Sequence, residues 1–91
     1  MSKFIGYTLG LECNGHGRAG KMVKVEYSRN EDGTVVLAAV SGNNLASLNQ
    51  RKTITAGEFE ARPTDAYSGI SEARWALGKL GYSLMSDDFG G

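Results

Sequence analysis

Alternating apolar and polar positions predict four strands in the part of the chain that precedes Pro63. In residues 4–13, every second residue is apolar, which is the period of a strand with one buried face. These apolar residues are Ile5, Tyr7, Leu9, Leu11 and Cys13. The segments 22–28, 34–40 and 52–62 are predicted as the second, third and fourth strands.

Turn residues separate these strands. Asp32 and Gly33 supply the positive φ that a tight hairpin requires, which predicts a turn between the second and third strands. The third strand is apolar on both sides, and this pattern predicts a position inside the sheet. Residues 41–50 are polar and predict a loop with one helical turn that carries Leu45 and Leu48. Gly57 predicts a bend in the fourth strand.

A helical period begins after Pro63. Apolar residues at steps of four and three predict a helix over residues 65–80, capped by Thr64 or Asp65. Gly81 follows the last of them, where a left-handed helix end is common. The apolar stripe consists of Ala66, Ile70, Ala73, Leu77 and Leu80. Residues 86–91 are predicted to form a mobile tail.

The predicted elements make one domain, residues 1–91, of the α+β class. Its expected architecture is a four-stranded antiparallel meander with one C-terminal helix packed on one face. A chain of 91 residues buries only about 60 to 65% of its unfolded surface. The length therefore excludes most large enzyme folds.

Composition narrows the classes of function further. The chain has 10 Lys and Arg residues and 10 Asp and Glu residues, so its net charge is zero. This balance argues against general electrostatic capture of nucleic acid. No apolar stretch approaches the roughly 20 residues of a membrane-spanning helix, so no membrane contact is predicted. Cys13 is the single cysteine, which excludes an internal disulfide and is typical of a cytoplasmic protein.

The string Gly15–Gly20 has the GxGxxG spacing of dinucleotide-binding loops. In those loops the N-terminus of a following helix binds the pyrophosphate, whereas a predicted strand follows here. We therefore interpret residues 14–24 as a flexible basic loop. Its His16, Arg18 and Lys21 are candidates for binding a phosphate or an acidic protein patch. The alternative is a solvent-facing turn without a binding role.

Cys13 and His16 form the one nucleophilic pair that the sequence offers. Cys13 shares its predicted strand face with Leu9 and Leu11, which favours a buried side chain over a reactive thiolate. The pair also makes only half a metal site. We predict no enzymatic activity, no metal and no cofactor, and a Cys13-dependent enzyme is the least favoured alternative.

Trp75 lies opposite the apolar stripe of the predicted helix. Small and charged residues surround it, among them Ser71 and Lys79, and this setting is typical of an interface anchor. The alternative is that the tail covers the indole with Tyr82, Leu84 or Phe89.

The leading hypothesis is a small non-catalytic protein that binds another protein through the helix face of Trp75, Ser71 and Lys79, assisted by His16, Arg18 and Lys21. Small α+β domains without catalytic residues are frequent among virus-encoded inhibitors of host or defence machinery. The alternative is nucleic-acid or nucleotide-phosphate binding through the loop 14–24, with Lys24 and Arg29 on a sheet face and stacking on Phe4. Pairing of an exposed strand edge with a second copy would also give a homodimer.

Overall fold

A mostly antiparallel sheet carries two short helices in the α+β arrangement that the sequence predicts. The structure is a computed structural model, and it describes residues 2–64 and 69–84. In chain order the elements are β1 (Lys3–Tyr7), β2 (Leu11–Gly15), β3 (Arg18–Arg29), β4 (Val35–Ser41), β5 (Ser47–Ile54), α1 (Ala56–Glu60), α2 (Ile70–Lys79) and β6 (Ser83–Leu84). The predicted four strands and single C-terminal helix are thus corrected to six strands and two helices, with β6 following α2.

The twelve-residue strand β3 organises the sheet. β4 pairs along one side of β3, and β5 pairs with β4. β1 and β2 pair end to end along the other side of β3, and β6 adds to the outer edge of β2. The interior position predicted for β4 is confirmed, because β4 lies between β3 and β5.

The single strand predicted over residues 4–13 is interrupted. The pairing of β1 with β3 shifts by one residue between Phe4 and Gly6, and the chain then leaves strand geometry at residues 8–10. Within this gap Thr8 is buried, and its side-chain oxygen accepts a 3.0 Å hydrogen bond from the backbone N–H of Val25. The hydroxyl therefore takes the place of a backbone carbonyl and holds the two halves of the strand against β3.

This interruption changes which side chains are buried. Cys13 is buried and Leu11 is half-buried, as the alternation predicts, whereas Ile5, Tyr7 and Leu9 are exposed. The bulge places Tyr7 on the same face as Phe4, because one extra residue reverses the face of the side chains that follow it in β1. The break at residues 8–10 then returns Leu11 and Cys13 of β2 to the core face.

One face of the sheet forms the hydrophobic core. Val25, Leu37 and Ile54 from three neighbouring strands pack there against Phe59 of α1 and Leu77 of α2. On the opposite face, no helix or strand among residues 2–64 and 69–84 packs against the sheet, and Phe4 and Met22 remain exposed. We call this second surface the open face.

The strand predicted over residues 52–62 ends at Ile54 and gives way to α1. Thr55 is the N-cap, and its hydroxyl oxygen accepts a 3.0 Å hydrogen bond from the backbone N–H of Glu58. Thr-x-x-Glu is the sequence signature of a capping box. It favours a helix start over the strand bend that Gly57 was expected to mark.

The loop predicted over residues 41–50 is shorter than expected, because β5 already begins at Ser47. The β4–β5 hairpin closes with a hydrogen bond from the N–H of Ser41 to the carbonyl of Ala46. Leu45 lies in this turn with a left-handed φ of 59° and is exposed, and Leu48 packs against the core from β5.

The predicted helix 65–80 begins later than expected. Gly69 is the N-cap of α2, so the predicted caps Thr64 and Asp65 are not used by this helix. Residues 65–68 lie outside the part of the chain that the structure describes, as does the predicted tail 86–91.

The C-terminal end of α2 agrees with the prediction. Gly81 has a left-handed φ of 87°. Its N–H donates to the carbonyl of Gly78, and the N–H of Tyr82 donates to the carbonyl of Leu77. These two bonds form a Schellman motif, which ends the helix and directs the chain back to β2 as β6. Neither helix among the described residues is long and apolar enough to cross a membrane.

Candidate functional site

The turn between β2 and β3 is tight rather than flexible. β2 ends at Gly15 and β3 begins at Arg18, so only His16 and Gly17 form the turn, with positive φ values of 52° and 80°. Such a pair of positive φ angles is typical of a type I′ hairpin turn. The prediction of a flexible loop over residues 14–24 is therefore wrong, because most of these residues belong to paired strands.

His16 contacts the end of α2. Its Nε2 lies 2.6 Å from the carbonyl oxygen of Leu80, to which the imidazole N–H donates. The ring also packs edge-on against Tyr82, with 4.9 Å between the ring centroids. The structure thus brings His16 to the end of the helix that carries Trp75. The imidazole makes its contacts there with Leu80 and Tyr82 of the same chain.

The two predicted basic residues near this turn have different surroundings. Arg18 is half-buried, and its Nε has no hydrogen-bond partner among the described residues. Burial raises the pKa of the Cys13 thiol above its ordinary value, and the positive charge of Arg18 offsets part of this rise. Lys21 is exposed. A buried thiol with a raised pKa is a poor nucleophile at neutral pH.

The helix surface predicted as the binding site is partly occupied by its own neighbours. Trp75 is half-buried and packs against the core cluster, so the indole is neither fully exposed nor enclosed. The ammonium group of Lys79 lies 5.6 Å from the Trp75 ring and 2.5 Å from a carboxylate oxygen of Glu58. Ser71 is half-buried beside them on α2.

A polar cluster joins both helices to β3. The phenol of Tyr27 donates a 2.9 Å hydrogen bond to Glu72, whose carboxylate also binds the guanidinium of Arg62 at 2.9 Å. The guanidinium carbon of Arg62 lies 4.1 Å from the Phe59 ring centroid. Every charge of this cluster is paired, and we interpret it as structural support for the helix layer.

Lys24 and Arg29 do not share a sheet face, in contrast to the expectation for nucleic-acid binding. The ammonium group of Lys24 lies 6.0 Å from the Tyr7 ring centroid on the open face. The guanidinium of Arg29 lies 5.9 Å from the Phe59 ring on the helix side and donates to the carbonyl of Gly33.

An apolar patch on the open face is the most exposed cluster of large side chains among the described residues. Phe4 and Tyr7 contact each other with 5.1 Å between ring centroids, and the exposed fractions of their surfaces are 57% and 41%. Met22 is 36% exposed, and Lys24 lies beside Tyr7. We define Phe4, Tyr7, Met22 and Lys24 as the open-face patch.

Two glycines allow the long side chains of the patch to lie flat on the sheet. A Cβ atom at Gly10 would lie 3.2 Å from Cγ of Lys24, and one at Gly42 would lie 2.4 Å from Cγ of Met22. Because any larger residue at Gly42 would displace Met22, this glycine helps to fix the shape of the patch. Ile5 and Leu9, also exposed, extend apolar surface along β1 and the residues after it.

The periodicity of the sequence conceals this patch. Strict alternation over residues 4–13 places Phe4 and Tyr7 on opposite faces, whereas the bulge places both on the open face, opposite Ser28 and Glu26 of β3. Gly6 was the available signal, because a glycine inside a strand pattern often marks a bulge.

Next to the patch, Val36, Ala38 and Arg51 line a shallow depression of about 280 Å³ on the open face.

Within the described residues, no group of three His, Cys, Asp or Glu side chains is arranged to hold a metal ion. No family model, curated protein or solved structure shows a significant similarity to this chain.

Proposed function

We propose that this chain is a small non-catalytic protein that binds another protein, and that the open-face patch is its principal contact surface. The observation that carries the proposal is the concentration of exposed apolar side chains at one end of a sheet face that the described residues leave uncovered. Phe4, Tyr7 and Met22 on this face are all at least 36% exposed.

The chemistry of the patch supports a protein partner. Large contiguous apolar patches on a soluble domain are commonly interaction sites, and aromatic residues supply many interface hot spots. The single cation, Lys24, lies against the Tyr7 ring, so the patch combines an apolar centre with a charge at its border. Such a composition resembles the core and rim of a protein interface.

The α2 surface is a second contact region in this proposal. Trp75 retains partial exposure, and Lys79 and Ser71 flank it. Since Lys79 is already paired with Glu58, a partner would have to compete for that ammonium group. His16, Arg18 and Lys21 stay predicted contributors at the adjoining hairpin turn. A binding protein of this kind acts by occupying a surface, as an inhibitor of host or defence machinery would.

Affinity capture with matched variants tests the proposal. We expect Tyr7→Ser to weaken partner binding at least about tenfold, because an interface aromatic commonly contributes 2 kcal/mol or more. Leu45→Asn is the control, since Leu45 is similarly exposed and asparagine tolerates its left-handed φ. Equal capture by Tyr7→Ser and the wild type would exclude the patch as the main contact surface.

Nucleic-acid binding is the second candidate, and the contact between Lys24 and Tyr7 favours it. Exposed aromatic rings beside a cation on an open sheet can stack bases and bind the phosphate backbone. In that case, binding to a labelled single-stranded oligonucleotide weakens steeply with salt, and Lys24→Ala reduces the salt dependence. A salt-independent signal would eliminate this candidate.

A further inference from the structure

An acidic, a small and a basic side chain from three neighbouring strands lie in one row across the open face. Glu26 of β3 is opposite Ala38 of β4, and Ala38 is opposite Arg51 of β5. Paired residues of adjacent strands project to the same face, and Ala38 lies in the open-face depression together with Arg51. The row is therefore acidic on one side of Ala38 and basic on the other.

Neither charge of this row is paired with another side chain of residues 2–64 and 69–84. Glu26 is half-buried and Arg51 is exposed, and neither side chain makes a hydrogen bond or ion pair with any described residue. Ala38 between them is only 8% exposed and lines the open-face depression. An arrangement of this kind is complementary to itself, because a half-turn about an axis along β4 exchanges the two charges.

We propose that the open face binds a second copy of this chain, with the two-fold axis parallel to β4 and passing over Ala38. In this dimer Glu26 of each protomer lies opposite Arg51 of the other, and the two Ala38 residues face each other across the axis. A two-fold axis perpendicular to the strands would place like charges opposite each other, so the charge pattern selects the parallel axis. This inference rests on the proposed function of the open face in protein binding.

The sheet edges are poorer sites for self-association than the face. β1 contains the bulge between Phe4 and Gly6, and the pairing of β5 with β4 is also irregular. Within β5, Asn49 has a left-handed φ of 75°, and Arg51 and Lys52 place charges along the strand. Bulges and edge charges both prevent strand addition.

The geometry predicts a weak dimer that leaves the open-face patch accessible. The overlapping surface of β3, β4 and β5 measures about 14 Å by 23 Å. The area of this surface is small compared with the roughly 800 Å² per partner of a stable interface. We therefore expect association in the micromolar range or weaker. Because β1 lies two strands from the axis, Phe4 and Tyr7 remain beyond the partner's β5 edge.

Sedimentation equilibrium over a wide range of protein concentration tests this inference through charge reversal. We expect Glu26→Arg and Arg51→Glu each to raise the dimer dissociation constant at least about tenfold, and the double variant to return near the wild-type value. Glu60→Arg is the matched control, because it makes the same charge change at an exposed position on α1. Circular dichroism establishes that each variant is folded, and Arg51→Glu provides the test at an exposed site.

A wild-type chain that stays monomeric at all concentrations would overturn the inference. So would a dimer that is insensitive to the reversals or that the double variant fails to restore. These outcomes are separable from failure of the proposed function, since Tyr7→Ser is expected to weaken partner capture and leave the dimer unchanged.

Discussion

The imidazole Nε2 of His16 lies 2.6 Å from the carbonyl oxygen of Leu80 and joins the β2–β3 turn to the C-terminal end of α2. These residues are 64 positions apart in the chain, so the contact fixes the helix relative to the sheet. Gly81 makes this approach feasible, because a Cβ atom there would lie 2.8 Å from Nε2. The imidazole, which the sequence marks as a candidate for binding, thus also has a structural role.

Replacing this histidine tests its structural role. We expect His16→Asn to lower the free energy of unfolding by about 1 kcal/mol, since asparagine tolerates the left-handed φ but the hydrogen bond and ring contact are lost. Urea unfolding measures the change. Lys21→Ala, at an exposed position nearby, is expected to change stability by less than about 0.5 kcal/mol. Equal stability of His16→Asn and the wild type would contradict the structural role.

Thr8 supplies the hydroxyl that replaces a backbone acceptor in the interrupted N-terminal strand. We expect Thr8→Val to cost about 1 to 3 kcal/mol, because the backbone N–H of Val25 is left buried without a partner. Thr8→Ser retains the oxygen and should cost clearly less. Thermal unfolding measures the stability of the two variants. A valine variant as stable as the serine variant would show that the hydrogen bond between Thr8 and Val25 does not contribute to stability.

Cys13 should be protected from thiol reagents in the folded protein. Its side chain is buried, and burial raises the pKa of the thiol. We expect labelling by a disulfide reagent at neutral pH to be slow and to accelerate with urea as the protein unfolds. Rapid labelling without denaturant would show an accessible thiolate. That result would favour the alternative of a Cys13-dependent enzyme.

Stability should fall at alkaline pH because of Tyr27. Burial and the hydrogen bond to Glu72 raise the pKa of this phenol above its ordinary value, so the folded state retains the proton longer than the unfolded state. Its contribution is complete below a pH of about 10 and is lost as the pH rises above that value. Unfolding measured from pH 8 to 11 should show a shallower decline in Tyr27→Phe. An equally steep decline of stability with pH in the wild type and in Tyr27→Phe would show that groups other than Tyr27 cause the decline.

Local turn and cap signals predicted the parts of the fold that depend on a few adjacent residues. Gly33 forms the β3–β4 turn with a φ of 90°, and Gly81 ends α2 in a Schellman motif. Both outcomes follow from the freedom of glycine to adopt left-handed angles. The Thr-x-x-Glu signature at Thr55 and Glu58 was also readable in the sequence, but the prediction of a strand over residues 52–62 did not use it.

The open-face patch could not be predicted by periodicity, because its position depends on pairing across the sheet. The register shift after Phe4 is defined by the partner strand β3 and not by the residues of β1 alone. The contact of His16 with Leu80 likewise depends on how α2 packs on the sheet. Candidate residues chosen by charge or aromatic type along the chain therefore missed Tyr7 and Met22.

The measurement that tests the central claim most directly is site-specific photo-crosslinking in an extract of the native source. A photoreactive phenylalanine analogue is placed at Tyr7 in the open-face patch or at Glu60, which is exposed on α1. We predict a covalent adduct with a partner protein from the Tyr7 position and none from the Glu60 position. Adducts of equal yield from both positions, or from Glu60 alone, would contradict the assignment of the open face as the binding surface.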